Sequence, residues 1–213
     1  MKTGELIALL ANGAGVVPQQ AWRRRYAAAL GVGIAGAVAL MLPLLGLRPD
    51  MNEASVLPVF WFKLAFPLTL ALAALAVASR LSRPGVPLGM TPAAVAAPVM
   101  VVWLLAAVVL AGAAPDQRIA LLMGTTWQSC PAYVTLLSIP AFIGMLWVMK
   151  TLAPVRLVLA GASSGLFAGG VGATVYAVHC PEMEVPFVAI WYLLGMLIPA
   201  ALGAAAGSKL LRW

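Results

Sequence analysis

Six long apolar runs, separated by short polar segments, dominate the chain from residue 26 to its end. Each run is close to the length of about 20 residues that an α-helix needs to cross the hydrocarbon core of a bilayer. The pattern therefore predicts an all-α polytopic membrane protein with six transmembrane helices in one bundle. The predicted helices are, to within a few residues, Tyr26–Leu47, Leu57–Ala78, Ala94–Leu110, Pro131–Met149, Leu157–Ala177 and Pro186–Ala206.

The uncharged run from Ile119 to Met149 is longer than one span requires. Cys130 and Pro131 fall in its first half, and proline is favoured in the first turn of a helix. We therefore expect Ile119–Gln128 to form an interfacial loop or short helix, with the fourth span beginning at Pro131.

Residues 1–25 are the only sizeable polar stretch, and we treat them as an N-terminal segment that precedes a transmembrane domain at 26–213. Thr3 can cap a short amphipathic helix that carries Leu6, Ile7 and Leu10 on one side. Such a helix either lies on the lipid surface or binds a partner protein. Leu6, Ile7 and Leu10 are therefore candidate partner-binding residues.

The loop charges predict the orientation. The net charge is +7, but the basic residues lie between the apolar runs and no basic patch alternates with aromatic residues, so the charge indicates topology rather than a nucleic-acid-binding surface. Alternate polar segments differ in basic residues, ten against three, and the richer set faces the cytoplasm by the positive-inside rule. Both termini are then cytoplasmic, in a bacterial inner membrane. The ten are Lys2, Arg23, Arg24, Arg25, Arg80, Arg83, Lys150, Arg156, Lys209 and Arg212.

Cys130 and Cys180 are the two cysteines of the chain, each precedes a proline, and this topology places both at the outer face. Two thiols at an oxidising face can form a disulfide or bind a soft metal ion. His179 and Glu182 are candidate extra ligands, or groups that tune Cys180. The alternative interpretation is that both cysteines are inert apolar fillers, with His179 a solvated loop residue.

Three further patterns concern packing. Gly161, Gly165 and Gly169 recur at four-residue spacing, which predicts close approach of another helix. Trp127, Trp191 and Tyr192 fall near the predicted outer boundary, where they are expected to form an aromatic belt. Lys63 lies near the start of the second span, and we expect its ammonium to snorkel to the nearby surface.

The sequence contains no Gly-rich phosphate loop with a lysine, no HExxH and no Cys-x-x-Cys motif, so we do not expect an enzyme. A membrane thiol oxidoreductase acting through the two cysteines remains one alternative. A small transporter or metal permease is another, although transport usually needs ionisable groups in mid-membrane, and none is predicted there.

Two motifs give a family resemblance. They are Gly124-Thr125-Thr126-Trp127-Gln128-Ser129-Cys130-Pro131 and His179-Cys180-Pro181-Glu182, the latter followed by Pro186-Phe187 and Trp191-Tyr192. With the opening Thr3-x-x-Leu6-Ile7-x-x-Leu10, the chain resembles the NrsF-like six-helix membrane anti-sigma factors of Proteobacteria.

The resemblance implies a protein that holds an extracytoplasmic-function sigma factor inactive at the inner membrane. It also implies a periplasmic cysteine pair linked to heavy-metal or oxidative stress, which maps onto Cys130 and Cys180. The implied partners are the sigma factor and the lipid bilayer, with no direct contact to nucleic acid. No resident cofactor is implied beyond a candidate soft metal ion at the two thiols.

Overall fold

The protein is described by a computed structural model for residues 3–5, 7–8, 21–83, 85–152 and 154–212. From residue 21 onward the helices are α1 Ala21–Leu44, α2 Met51–Ala54, α3 Pro58–Leu81, α4 Thr91–Gly112, α5 Pro115–Met123, α6 Cys130–Thr151, α7 Leu157–Tyr176 and α8 Val185–Leu210. Across the described residues, six of them (α1, α3, α4, α6, α7 and α8) are long and apolar enough to span a membrane. The predicted six-helix bundle is confirmed.

Several helices have a proline in their first turn. Proline occupies one of the first two positions of α3, α4, α5, α6 and α8. Its fixed φ suits the first turn, where its missing N–H would have no intrahelical partner. Asp116 and Arg118, between the third and fourth spans, are part of the short helix α5. The expected short helix before the fourth span exists, but it ends at Met123 and is followed by turns.

The central helix is α7, which packs against α8, α6, α3 and α1. A Cβ on Gly165 would overlap the backbone oxygen of Pro199 in α8, and one on Gly161 would overlap the backbone oxygen of Gly203. Gly169 faces the backbone of Met196 in the same way, at 2.8 Å from the position its Cβ would take. The predicted close approach along these three glycines is confirmed, and α8 is the helix that approaches.

Helix α8 contains a π turn at Val188–Tyr192, between a short α-helical start at Val185–Phe187 and the long segment Leu193–Leu210. A π turn holds one residue more than an α-helical turn and is often found at functional positions. Phe187, just before this turn, and Tyr192, its last residue, are both fully buried.

The N-terminal segment is described only in part. Thr3–Glu5 and Ile7–Ala8 are helical, and Ile7 is 62% exposed. Leu6 and Leu10, the other candidate partner-binding residues, lie outside the described residues.

Candidate functional site

Cys130 and Cys180 lie at the same end of the bundle. Cys130 is the first residue of α6, and Cys180 lies in the loop between α7 and α8. Both are completely buried, both thiols are free, and both belong to one apolar cluster. The Cys130 thiol is close enough to the Cys180 thiol for the two to interact electrostatically. The fold therefore brings together two thiols from distant parts of the sequence.

Two buried tyrosines enclose the thiols. The rings of Tyr176 and Tyr192 lie 5.9 Å apart, and the hydroxyl of each lies beside the Cys180 thiol. The Tyr192 hydroxyl is buried without a hydrogen bond of good geometry to any described residue, despite this neighbour. The prediction that Tyr192 belongs to an aromatic belt is wrong, because this residue, which ends the π turn, is completely buried in the bundle.

The position of Lys63 in α3 differs most from the sequence-based prediction. Its side chain is completely buried rather than extended to the surface, so the snorkelling prediction is wrong. Its Nζ donates hydrogen bonds of 2.6 Å to the carbonyl oxygens of Cys180 and Glu182, and lies 5.6 Å from the Tyr192 ring centroid. The 180–182 loop folds over the start of α3 and supplies these acceptors where the ammonium lies. A buried ammonium requires such partners, because desolvation without them is costly.

Arg48 brings a second cation to the same loop. Its Nη1 lies 3.5 Å from the Cys180 carbonyl oxygen and 3.9 Å from the Met183 sulfur, and its side chain is only 6% exposed. Its Nε and Nη2 donate to the two carboxylate oxygens of Asp50 at 2.7 and 2.6 Å. This hydrogen-bonded pair lowers the pKa of Asp50 and raises that of Arg48. Two cations therefore converge on the carbonyl of one cysteine.

His179 and Glu182 link the cysteine loop to other loops at the same end of the bundle. His179 Nδ1 lies 3.1 Å from the carbonyl oxygen of Gly46, and its ring lies beside that of Tyr176. Glu182 Oε1 accepts hydrogen bonds from the backbone N–H and the hydroxyl of Thr125, at 2.7 and 2.6 Å. Their roles as ligands or tuning groups stay predictions, and the structure adds these links between loops.

A metal ion at this site would depend mainly on the thiols. Among the described residues, no group of three or more His, Cys, Asp or Glu side chains is placed to hold a metal. The two sulfurs remain a donor pair of the soft kind that selects thiophilic metals.

Trp127 and Trp191 join the α5 region to α8. Their rings lie 5.2 Å apart, and Trp191 Nε1 donates to the Leu122 carbonyl oxygen at 2.8 Å. Both side chains are half-buried at this end of the bundle. These contacts hold the turns before Cys130 against α8, whether or not the two tryptophans also contact the membrane interface.

Sequence reasoning missed Lys63, Arg48 and Tyr176 as parts of the site. One signal was available for Lys63, since an ionisable residue inside an apolar span is by default a candidate functional residue. Arg48 and Tyr176 gave no comparable signal, because their positions depend on how the loops fold.

Comparison with known proteins gives a consistent result. The family model described as "Negative regulator of sigma F" matches residues 10–213. The chain is 50% identical over 213 residues to the probable anti-sigma-F factor NrsF of Azospira oryzae, with 100% of both chains covered. It is 40% identical over 215 residues to the anti-sigma-F factor NrsF of Caulobacter vibrioides, again with 100% of both covered. No solved structure matches.

Proposed function

The chain belongs to the NrsF family of negative regulators of sigma F, and we propose that it holds an extracytoplasmic-function sigma factor at the bacterial inner membrane and releases it when Cys130 and Cys180 react. Both relatives are named as regulators rather than as enzymes. The family assignment thus favours regulation over the oxidoreductase and transporter alternatives.

The observation that carries this proposal is the pairing of two free, buried thiols with a buried cation. Lys63 binds the backbone of Cys180, and Tyr176 and Tyr192 belong to the same buried cluster as both thiols. A purely structural cysteine needs only apolar neighbours. Here the thiols lie among polar groups that respond to a change in charge or volume.

Two reactions at the thiols would change this cluster. Oxidation to a disulfide joins the two sulfurs, transfers two electrons to the oxidant and releases both thiol protons. Binding of a divalent soft metal ion by both sulfurs also releases both thiol protons, so the net charge of the site is unchanged while the metal joins the two sulfurs near Lys63. Either reaction moves the start of α6 relative to the loop before α8. Heavy-metal and oxidative stress are therefore the proposed signals.

Lys63 gives the reaction a mechanical route into the bundle. Its two hydrogen bonds tie the Cys180–Glu182 loop to α3, and α3 packs against the central helix α7. A shift of that loop therefore acts directly on a membrane-spanning helix. We propose that α3 and α7 carry the change to the cytoplasmic face, where the sigma factor binds.

The test is sigma-dependent transcription, measured with and without a thiol-reactive metal or an oxidant. In Cys130→Ser and Cys180→Ser, serine retains the size but forms no disulfide and binds soft metals poorly. Transcription with the metal or oxidant should therefore be about equal to transcription without it. Ser129→Ala, next to Cys130, is the control and should be induced normally. Normal induction of both serine variants, at equal protein levels, would remove the thiols from the mechanism.

Lys63→Met tests the route. The thiols should still react, as shown by alkylation of the denatured protein after stress, while transcription no longer differs between stressed and unstressed cells. The exposed Lys150→Met is the matched control. If Lys63→Met is induced like the unmodified chain, signalling does not pass through this lysine.

The orientation and the partner surface need separate tests. The native thiols are buried and would resist labelling from either side, so Asp116→Cys and Lys150→Cys are placed in a chain with both native cysteines replaced by serine. An impermeant reagent should label only Asp116→Cys in intact spheroplasts. The opposite labelling pattern would reverse the topology.

For the partner, Ile7→Ser should weaken sigma-factor retention, whereas the exposed Val56→Ser at the other end should not.

A further inference from the structure

The end of the bundle opposite the thiols carries a basic cavity. It has a volume of about 280 Å³ and lies between the α3–α4 connection and the start of α7. Its lining includes three arginines, Arg80, Arg83 and Arg156, together with small and apolar residues of the α3–α4 and α6–α7 connections. The described lining contains no acidic residue. Three guanidinium groups around one cavity favour an anion.

The cavity is held in shape by one of its own arginines. Arg80 Nη1 donates to the carbonyl oxygens of Pro87 and Leu88, at 3.1 and 3.0 Å, and so fastens the connection that forms the wall. Arg83 and Arg156 are exposed at the mouth. Arg156 directly precedes α7, so the positive end of that helix adds to the attraction for an anion.

An apolar groove continues from this cavity. Its volume is about 310 Å³, and Leu81 and Leu88 line both spaces. Residues of α3, α4 and α7 form the walls, and the Ser163 hydroxyl in the lining already donates to the Ala160 carbonyl oxygen. Along α7 the lining runs from Leu159 to Leu166, which is about 10 Å of helix. The groove therefore extends from the interface into the depth of the hydrocarbon.

We propose that the cavity and groove together bind an anionic phospholipid, with its phosphate at Arg83 and Arg156 and one acyl chain in the groove. An acidic segment of a soluble protein could reach the arginines, but it would leave the apolar groove unfilled. A neutral lipid would fill the groove without using the arginines. An anionic phospholipid satisfies both, and basic pockets between membrane helices are suited to such headgroups.

The test counts lipids bound to the purified full-length chain by native mass spectrometry, with phosphatidylglycerol and phosphatidylcholine of identical acyl chains as probes. Phosphatidylglycerol should bind at least about tenfold more tightly, and the Arg83→Gln/Arg156→Gln double variant should lose about tenfold of that affinity. Lys150→Gln/Lys209→Gln removes the same charge outside the cavity lining and should change affinity less than about twofold. Arg80 is left intact because it holds the wall.

A groove variant separates a lipid from a small anion. Ala162→Phe fills the groove and should weaken phosphatidylglycerol binding. If the Ala162→Phe variant does not fold, Leu159→Trp is used in its place. Glycerol phosphate, the headgroup without chains, should not displace the lipid at equal concentration. Equal affinity for the two lipids, equal loss in the lysine control, or full displacement by glycerol phosphate would each overturn the proposal.

Discussion

Helices α7 and α4 have similar lengths but opposite places in the bundle. The most apolar window of α4 has a mean hydropathy of 2.6 and is 11% buried inside the protein, whereas that of α7 has a mean hydropathy of 1.4 and is 72% buried. The helix that is more hydrophobic is thus the one that faces lipid. In a bilayer, hydropathy measures fitness for lipid contact, while burial follows from small side chains that let helix backbones approach.

The strongest test of this difference replaces a glycine in each helix. A Cβ on Gly165 of α7 overlaps the Pro199 backbone, which cannot move aside as a side chain could, whereas a Cβ on Gly112 of α4 meets no atom within 4 Å. Gly165→Val should therefore lower the free energy of unfolding by about 3 kcal/mol or prevent folding. Gly112→Val should leave it nearly unchanged. The measurement is unfolding in mixed micelles, and similar losses for the two variants would contradict a close helix contact at Gly165.

A smaller effect is expected from removing large side chains. Phe167 of α7 is completely buried, and Leu104 of α4 is 62% exposed. Phe167→Ala leaves a cavity and should cost about 2 kcal/mol, less than in a soluble core because lipid already provides an apolar surrounding. Leu104→Ala exchanges side-chain contact for lipid contact and should cost less than about 0.5 kcal/mol. The same unfolding assay would reject this interpretation if the order of the two were reversed.

The smallest effect separates size from polarity in α7. Ser164 is fully buried, and its hydroxyl donates to the Ala160 carbonyl oxygen of its own helix. Ser164→Ala keeps a small side chain and removes only this local bond, so the free energy of unfolding should change by less than about 0.5 kcal/mol. A loss above about 1 kcal/mol would show that polar contacts, rather than small side chains, hold α7 in the centre.

The spans were predictable from sequence because they depend on local properties. Run length identifies each membrane helix, and Pro131 identifies where the fourth span begins. The glycine spacing in α7 likewise predicted close packing, because a four-residue repeat places the glycines on one face. Which helix meets that face depends on tertiary folding, and the sequence alone did not indicate that it is α8.

The cysteine site was predictable only in outline. Topology placed Cys130 and Cys180 at one end, and the structure places them there in one buried cluster. The environment of Lys63 was predicted wrongly, since snorkelling assumes that the nearest acceptors are water and lipid headgroups. The 180–182 loop supplies nearer ones, and no periodicity along the chain indicates where a loop folds back.

The π turn of α8 sets the orientation of the thiol end relative to the rest of that helix. One residue corresponds to about 100° of rotation around a helix axis, so converting Val188–Tyr192 to regular α-helix would rotate Val185–Phe187, and the cysteine loop before it, by about that angle relative to Leu193–Leu210. The inner segment could keep its glycine contacts with α7 throughout. The π turn therefore sets the rotation of the thiol end of α8 separately from the glycine contacts that position Leu193–Leu210.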